Sequence, residues 1–404
     1  MIRRQSIQCL TCGTSYTLRI QIGHSTLQEH TVQCEPCGED LSISLDLNQE
    51  KGIIQGAKFE NCSPSEVEGK IINLNSEMII PEHMRHTDRI FPVLELMREG
   101  FFKNAEKFDA LSEEEKREAS RIAKSLASPD NEWPLINKLW GLFNRGKESH
   151  LRETIDSNLD KIFDNERDIN SILFSFSSRC LAPAKIHLQD DVISVAGKDF
   201  QKDPARYKDF CQYHAENIFP TNMRLMHDVF RDFFVNYAEF GLFFLETKKG
   251  GNISATDTFS SINFRKTKRF YGDTYEALGT AIVTLACISN LIKGRKFDQF
   301  ENLDLAKYIA LDKSGKGRCF EDIQEFACLM TDYVPRIRNG SHHGTFKWNE
   351  SNNSISYNAT KGGKSEQISY RDYLLKSISL FHSCCTIVCL DILIHAQIRK
   401  FLLR

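Results

Sequence analysis

The chain has 404 residues, 41% of them hydrophobic and 26% charged. Length and composition suit two or three globular domains and exclude both a fibrous repeat and wholesale disorder. The formal net charge of -2 excludes an overall attraction to polyanions, yet Asn263 to Arg404 carries 21 basic and 14 acidic side chains, a net +7, leaving -9 on the remainder. A basic final third points to a polyanionic partner for that third alone.

The first 50 residues predict a small β module. Tyr16, Leu18, Ile20 and Ile22 alternate with polar residues, as do Leu41, Ile43, Leu45 and Leu47, and period-two alternation marks half-buried strands. The N-terminal MIRRQSIQCL lacks the apolar core of a signal peptide. Among longer apolar runs, Ala277 to Ile292 is too short to span a membrane, and Leu374 to His395 contains Lys376, His382 and Asp391. These features predict a cytoplasmic chain with no membrane role and with reduced thiols. Clustered cysteines among the 13 then mean metal or catalysis before disulfides.

Cys9-Leu-Thr-Cys12-Gly and Cys34-Glu-Pro-Cys37-Gly form two CxxCG knuckles with 21 residues between Cys12 and Cys34. Four thiolates at that spacing suit tetrahedral zinc, and four protein ligands leave no open position, so the metal is expected to be structural. The glycine after each pair relieves a tight turn. The pattern resembles a zinc ribbon. His24 and His30 are expected on the surface of its hairpin.

Residues 52–75 have weak periodicity and read as a connector. From Pro81 to Lys249 the pattern is helical: Ser112 and Glu115 make a capping-box signature, and Met226, Phe230, Phe233, Tyr237, Phe240 and Phe244 form one aromatic stripe on a long helix. A packed core accounts for that stripe better than a cofactor box does. In the final third, Tyr275 to Ile292 predicts a central helix and Leu303 to Leu311 a shorter one. Ile323 to Ile337 predicts a third helix, ending near Arg338. Two strand-like runs, FKW and SISY, precede a long last helix from Tyr370 to Leu403. No complete phosphate-loop sequence is present.

The segment Arg336-Ile-Arg338-Asn339-Gly340-Ser341-His342-His343-Gly344 sits inside this basic third. It resembles the Arg-x(4–6)-His motif of the HEPN superfamily, whose common form is Arg-Asn followed three residues later by His. The resemblance covers the last third only. It implies a helical bundle that pairs with a second copy so that two motifs face one cleft. It also implies a metal-independent endoribonuclease in which the RNA 2′-hydroxyl attacks the adjacent phosphate. Elementary chemistry agrees: an Arg fork can clamp the charge gathering on a phosphorane, and His titrates where proton transfer is needed. Arg338 and His343 are the expected catalytic pair, with Asn339 beside them and His342 as the rival histidine.

Expected RNA contacts are Arg265, Lys266, Lys268 and Arg269, together with Arg336, Lys347 and Trp348, the last as a stacking platform. The expected organisation is thus mainly α: a zinc ribbon at 1–50, a helical middle or regulatory region at 51–262, and a HEPN-like ribonuclease domain with a β-hairpin insertion at 263–404. Expected partners are RNA, a second copy and a protein trigger or antitoxin, in a toxin or antiphage-defence setting. The competing expectation is a non-catalytic adaptor that binds nucleic acid or protein through the ribbon and the bundle.

Overall fold

The computed structural model describes residues 2–22, 27–48, 53–75, 80–81, 129–249, 257–258, 264–342, 345–349, 354–358 and 365–402. Among these, an N-terminal β unit precedes a larger helical body. Alternation places the inner faces of the β unit as predicted. Strands β1 (Ile2–Cys9), β2 (Ser15–Gln21), β6 (Cys62–Pro64) and β7 (Lys70–Asn75) form one sheet in the order β6-β1-β2-β7. Strands β3 (Leu27–Gln33), β4 (Asp40–Asn48) and β5 (Ile53–Glu60) form a second. Ile7, Tyr16, Leu18, Val32, Ile43, Leu45 and Leu74 share its small core.

Two expectations fail here. The supposed connector is strands β5 to β7, so the β unit runs to Asn75; β5 lays Ile54, Ala57 and Phe59 half-buried against the core, and a register shift opposite Asp46 and Leu47 breaks the period-two pattern. His30 is not on the surface. It is 1% exposed on the inner face of β3, its ring nitrogens lack a hydrogen-bond partner among the described residues, and burial lowers its pKa to about 4. His24 and the capping-box helix at Ser112 and Glu115 lie outside the described residues. A two-stranded ladder joins β8 (Ile80–Pro81) to β9 (Asp257–Thr258).

Helices α1 (Trp133–Asn144), α2 (Glu148–Asp156), α3 (Ile169–Leu181), α4 (Ile186–Lys202), α5 (Pro204–Tyr213), α6 (Phe219–Val235) and α7 (Tyr237–Lys249) make the middle of the chain. Their starts are chemically marked: Asp168 and Asp203 accept the backbone N–H of Ser171 and Arg206, and Pro204 occupies the first turn of α5. The final third adds α8 (Phe264–Ala281), α9 (Val283–Ile292), α10 (Leu305–Ala310), α11 (Gln324–Cys328), α12 (Pro335–His342) and α13 (Tyr370–Leu402). Strands β10 (Lys347–Asn349), β11 (Ser354–Asn358) and β12 (Ser365–Ser369) form an antiparallel sheet between α12 and α13, one strand more than a hairpin.

The aromatic stripe spans α6 and α7, which break at Asn236, and it is core: Met226, Phe230, Phe233, Phe240 and Phe244 are fully buried. Phe233 stacks on Phe381 of α13 with centroids 3.8 Å apart. One continuous apolar cluster therefore runs from Trp133 to Ile392, and among the described residues the final third has no core separate from the middle helices. The stretches Thr267–Ile292 and Tyr370–Gln397 are long and apolar enough to cross a membrane, and 78% and 83% of their most apolar windows are buried inside the protein. Most of the apolar surface of α13 is covered within the chain.

At the centre, Asp391 of α13 is fully buried and accepts hydrogen bonds from Asn222 of α6 at 2.8 Å and Thr284 of α9 at 2.7 Å, with His214 Nε2 at 2.9 Å. A carboxylate this deep is tolerable only when its oxygens are satisfied. His382, one face along the same helix, is buried among rings, and desolvation depresses it to about 3. The unfolded chain binds a proton at His382 below about pH 6.5, whereas the native state refuses it until about pH 3. That contribution to stability is complete above pH 6.5 and is lost as pH falls. Thermal unfolding of the full chain should therefore show ~2 kcal/mol less stability at pH 5 than at pH 7 from this residue. His382→Phe should flatten that slope, and an unchanged slope would assign the acid sensitivity elsewhere.

Candidate functional site

Two constellations carry chemistry, the paired knuckles and the Arg338 segment. Each knuckle closes a hairpin, β1–β2 for the first and β3–β4 for the second, and the two are built alike. Cys9 N–H donates to Thr14 O at 2.9 Å and Cys34 N–H to Glu39 O at 2.7 Å; Gly13 and Gly38 N–H donate back to the Cys9 and Cys34 carbonyls. Both glycines take the left-handed conformation, φ 75° and 74°, that the turn demands. Gln8 and Gln33, each preceding the first cysteine of its knuckle, donate a side-chain N–H to the Gly13 and Gly38 carbonyls. The sequence reading missed these glutamines, although Gln-Cys-x-x-Cys-Gly stands in both places.

The sulfurs of Cys9, Cys12, Cys34 and Cys37 all lie within 4.8 Å of one another, and the pairs across the knuckles are 3.6 Å (Cys9–Cys37) and 3.4 Å (Cys12–Cys34) apart. A tetrahedral ion with metal–sulfur bonds of about 2.3 Å would hold its sulfurs about 3.8 Å apart. The four cysteines can hold a metal ion. Hydrogen bonding to Thr14 pulls the Cys12 thiol down, toward the thiolate a metal would need. Behind the site, Tyr16 donates its hydroxyl to Cys34 Sγ and accepts the Glu35 N–H at 2.8 Å, fixing the second knuckle. Asn61 ties the knuckles together: its carbonyl accepts Leu10 N–H while its amide donates to Glu39 and to the Asp40 carbonyl. Cys62, opposite Cys9 on β6, is outside the cluster, and burial pushes its thiol up to about 11.

The Arg338 segment is not the tail of a helix. The chain leaves α11, turns through residues 329–334, and starts a new helix at Pro335, so Arg336, Arg338, Asn339 and Gly340 all lie within α12. Pro335 was the available signal, since proline favours a first helical turn. Tyr271 of α8 fixes the entry: its hydroxyl donates to Asp332 O at 2.7 Å and accepts Val334 N–H at 2.9 Å. Gly340 lets β10 approach, because a Cβ there would lie 2.5 Å from the Phe346 ring.

Arg338 is half-buried and paired. Glu276 Oε1 of α8 lies 2.6 Å from its Nε and its Nη2, and Nη1 donates to Asn339 Oδ1 at 3.0 Å. Lys313 Nζ holds the other oxygen of Glu276 at 2.7 Å. Sequence reasoning missed Glu276, which lies 62 residues upstream with no local pattern to announce it. The backbone of His342 closes α12, whereas its side chain and the whole of His343 lie outside the described residues.

Of the other expected RNA contacts, Arg336 is exposed and pairs with Glu366 of β12 at 3.0 Å. Lys268 is half-exposed, Arg269 and Lys347 are exposed, and the side chains of Arg265 and Lys266 lie outside the described set. Trp348 cannot stack on a base as expected: it is 6% exposed and packs against Tyr370, with centroids 5.5 Å apart. Lys268, Phe346, Lys347 and Trp348 line one wall of a cleft of about 460 Å³, whose other wall includes Glu29, Asp40 and Glu60.

A scan against protein-family models, a search of curated proteins and a search of solved structures each return no match to this chain. The HEPN resemblance therefore rests on its motif residues. For the knuckles the expected outcome is direct. The full chain purified under reducing conditions should carry one metal ion. Cys34→Ser should lose it and unfold the β unit while the helical body, with its own core, stays folded. Metal content unchanged in Cys34→Ser would contradict the four-thiolate site.

Proposed function

We propose that this chain is a metal-independent endoribonuclease of HEPN type whose N-terminal unit is a zinc ribbon. The observation that supports the catalytic half is the Arg338-Asn339 pair on α12, with its guanidinium fixed at the rim of the helical body and His343 five residues on. In this reading Arg338 clamps the non-bridging oxygens as charge builds on the phosphorane, and His343 moves protons between the 2′-hydroxyl and the leaving oxygen. Asn339 holds Nη1 of the arginine. Lys268, Arg269, Arg336 and Lys347 would supply further phosphate contacts along the RNA. For the ribbon, four sulfurs with no fifth donor among the described residues favour zinc in a structural role. The metal would supply folding energy that so small a core lacks.

As the resemblance implies, the working unit would be a homodimer with two facing motifs, acting in the cytoplasm as an RNA-targeting toxin or antiphage effector under a protein trigger. One observation favours the second reading, a non-catalytic adaptor: Glu276 already neutralises Arg338.

Incubation with RNA in EDTA separates the two, provided the ribbon keeps its zinc. The ribonuclease reading expects cleavage to persist. It expects Arg338→Ala and His343→Ala each to lower the rate about 10²–10³-fold without loss of fold. Arg338→Lys should fail nearly as badly, since a point charge does not reproduce a planar fork. His342→Ala should do less harm. Cleavage of an all-deoxy strand, or an absolute need for added magnesium, would overturn the mechanism.

A further inference from the structure

Glu276 has no place in the motif, yet its contacts are the best organised around Arg338. Its Oε1 meets the Nε and Nη2 edge of the guanidinium at 2.6 Å. Its Oε2 meets Lys313 Nζ at 2.7 Å, and that ammonium also donates to the carbonyl of Glu276 itself at 2.9 Å. The side chains of Arg338, Glu276 and Lys313 are 32%, 28% and 30% exposed, so a ligand can reach them. Stability alone, from ion pairs that keep about a third of their surface in water, does not say what the rest of the fork is for. Donor geometry does. The side edge of the fork goes to Glu276 and one hydrogen of Nη1 to Asn339; with no further partner among the described residues, both terminal nitrogens keep a donor for an oxyanion.

We propose that Glu276 is the positioning residue of the site: held by Lys313, it fixes the Arg338 fork so that its free end meets the scissile phosphate. This rests on the ribonuclease reading. The opposite arrangement, a carboxylate that must swing away before phosphate can bind, is disfavoured by packing. Leaving Arg338 would carry Glu276 away from Lys313 as well, and Lys313 is wedged against α8, with its Cβ and Cδ 3.1 Å from where a Cβ on Gly279 would lie. Burial raises the Glu276 carboxyl, but Lys313 and Arg338 outweigh it and hold the group below its ordinary value, so the clamp stays ionised at neutral pH.

The test uses the full chain with Glu276→Gln and Glu276→Asp, each checked for fold by circular dichroism. Single-turnover cleavage is read beside binding to an oligoribonucleotide made uncleavable by one 2′-deoxy position, and the Arg338 Nε–H resonance is followed by NMR. The expected result is a rate loss of about 10²-fold in Glu276→Gln, with affinity changed far less and partial rescue in Glu276→Asp. The Nε–H signal should stay in place when the oligonucleotide binds, because Glu276 keeps it. A gain in rate or affinity in Glu276→Gln would overturn the proposal, as would an unchanged rate or an Nε–H signal that moves on binding. If the wild-type chain binds but never cuts RNA, the ribonuclease reading fails separately, and the Nε–H signal still decides what Glu276 does.

Discussion

From Leu380 to Ile392 every side chain of α13 is buried, and covering that stretch on all sides is the demand α13 imposes on the helical body. The chain meets it by bringing α3, α4, α6, α7 and α8 onto α13, which is why the middle and final thirds share one core. The buried Asp391 adds direction to an otherwise undirected hydrophobic collapse. Its partners come from α6, α9 and the turn at His214, so only one arrangement of those elements satisfies it. The site follows from the same packing. Once α8 lies on α13, Tyr271 receives the backbone before Pro335, Lys376 reaches Asp332 at 2.6 Å, and α12 is set with Arg338 facing Glu276.

The β unit solves a different problem. Its core of fourteen buried side chains includes three cysteines. Two identically built knuckles, tied to each other by Asn61 and backed by Tyr16, present four sulfurs close enough for one ion. Metal binding there would offset the unfavourable closing of loops that so few apolar contacts cannot hold.

What was legible in the sequence is what local spacing fixes. CxxCG dictates a knuckle because two sulfurs on one turn need a left-handed residue after them. The Phe233 stripe shows its buried face by helical period alone. Long-range pairing left no such trace: Glu276 and Arg338 meet across two helices, and nothing near either residue marks the other. Strand β5 turns Ile54, Ala57 and Phe59 inward at spacings of three and two, because the register shifts opposite Asp46 and Leu47, so its alternation is broken and it passed for a connector. Trp348 and His30 were misplaced for a related reason. Residue type predicted their chemistry, whereas burial was decided by β11, α13 and the second sheet.

Arg338 with its fork half-occupied is where fold and proposed chemistry meet, because the same guanidinium that ties α12 to α8 would have to stabilise a phosphorane. The chemistry leaves a signature on its product that no binding module can produce. The direct measurement is end-group analysis of RNA after exposure to the purified chain. Attack by the RNA's own hydroxyl predicts a 2′,3′-cyclic phosphate on one fragment and a free 5′-hydroxyl on the other, both absent with Arg338→Ala. Fragments bearing a 5′-phosphate, or RNA left intact by a well-folded dimer, would contradict it.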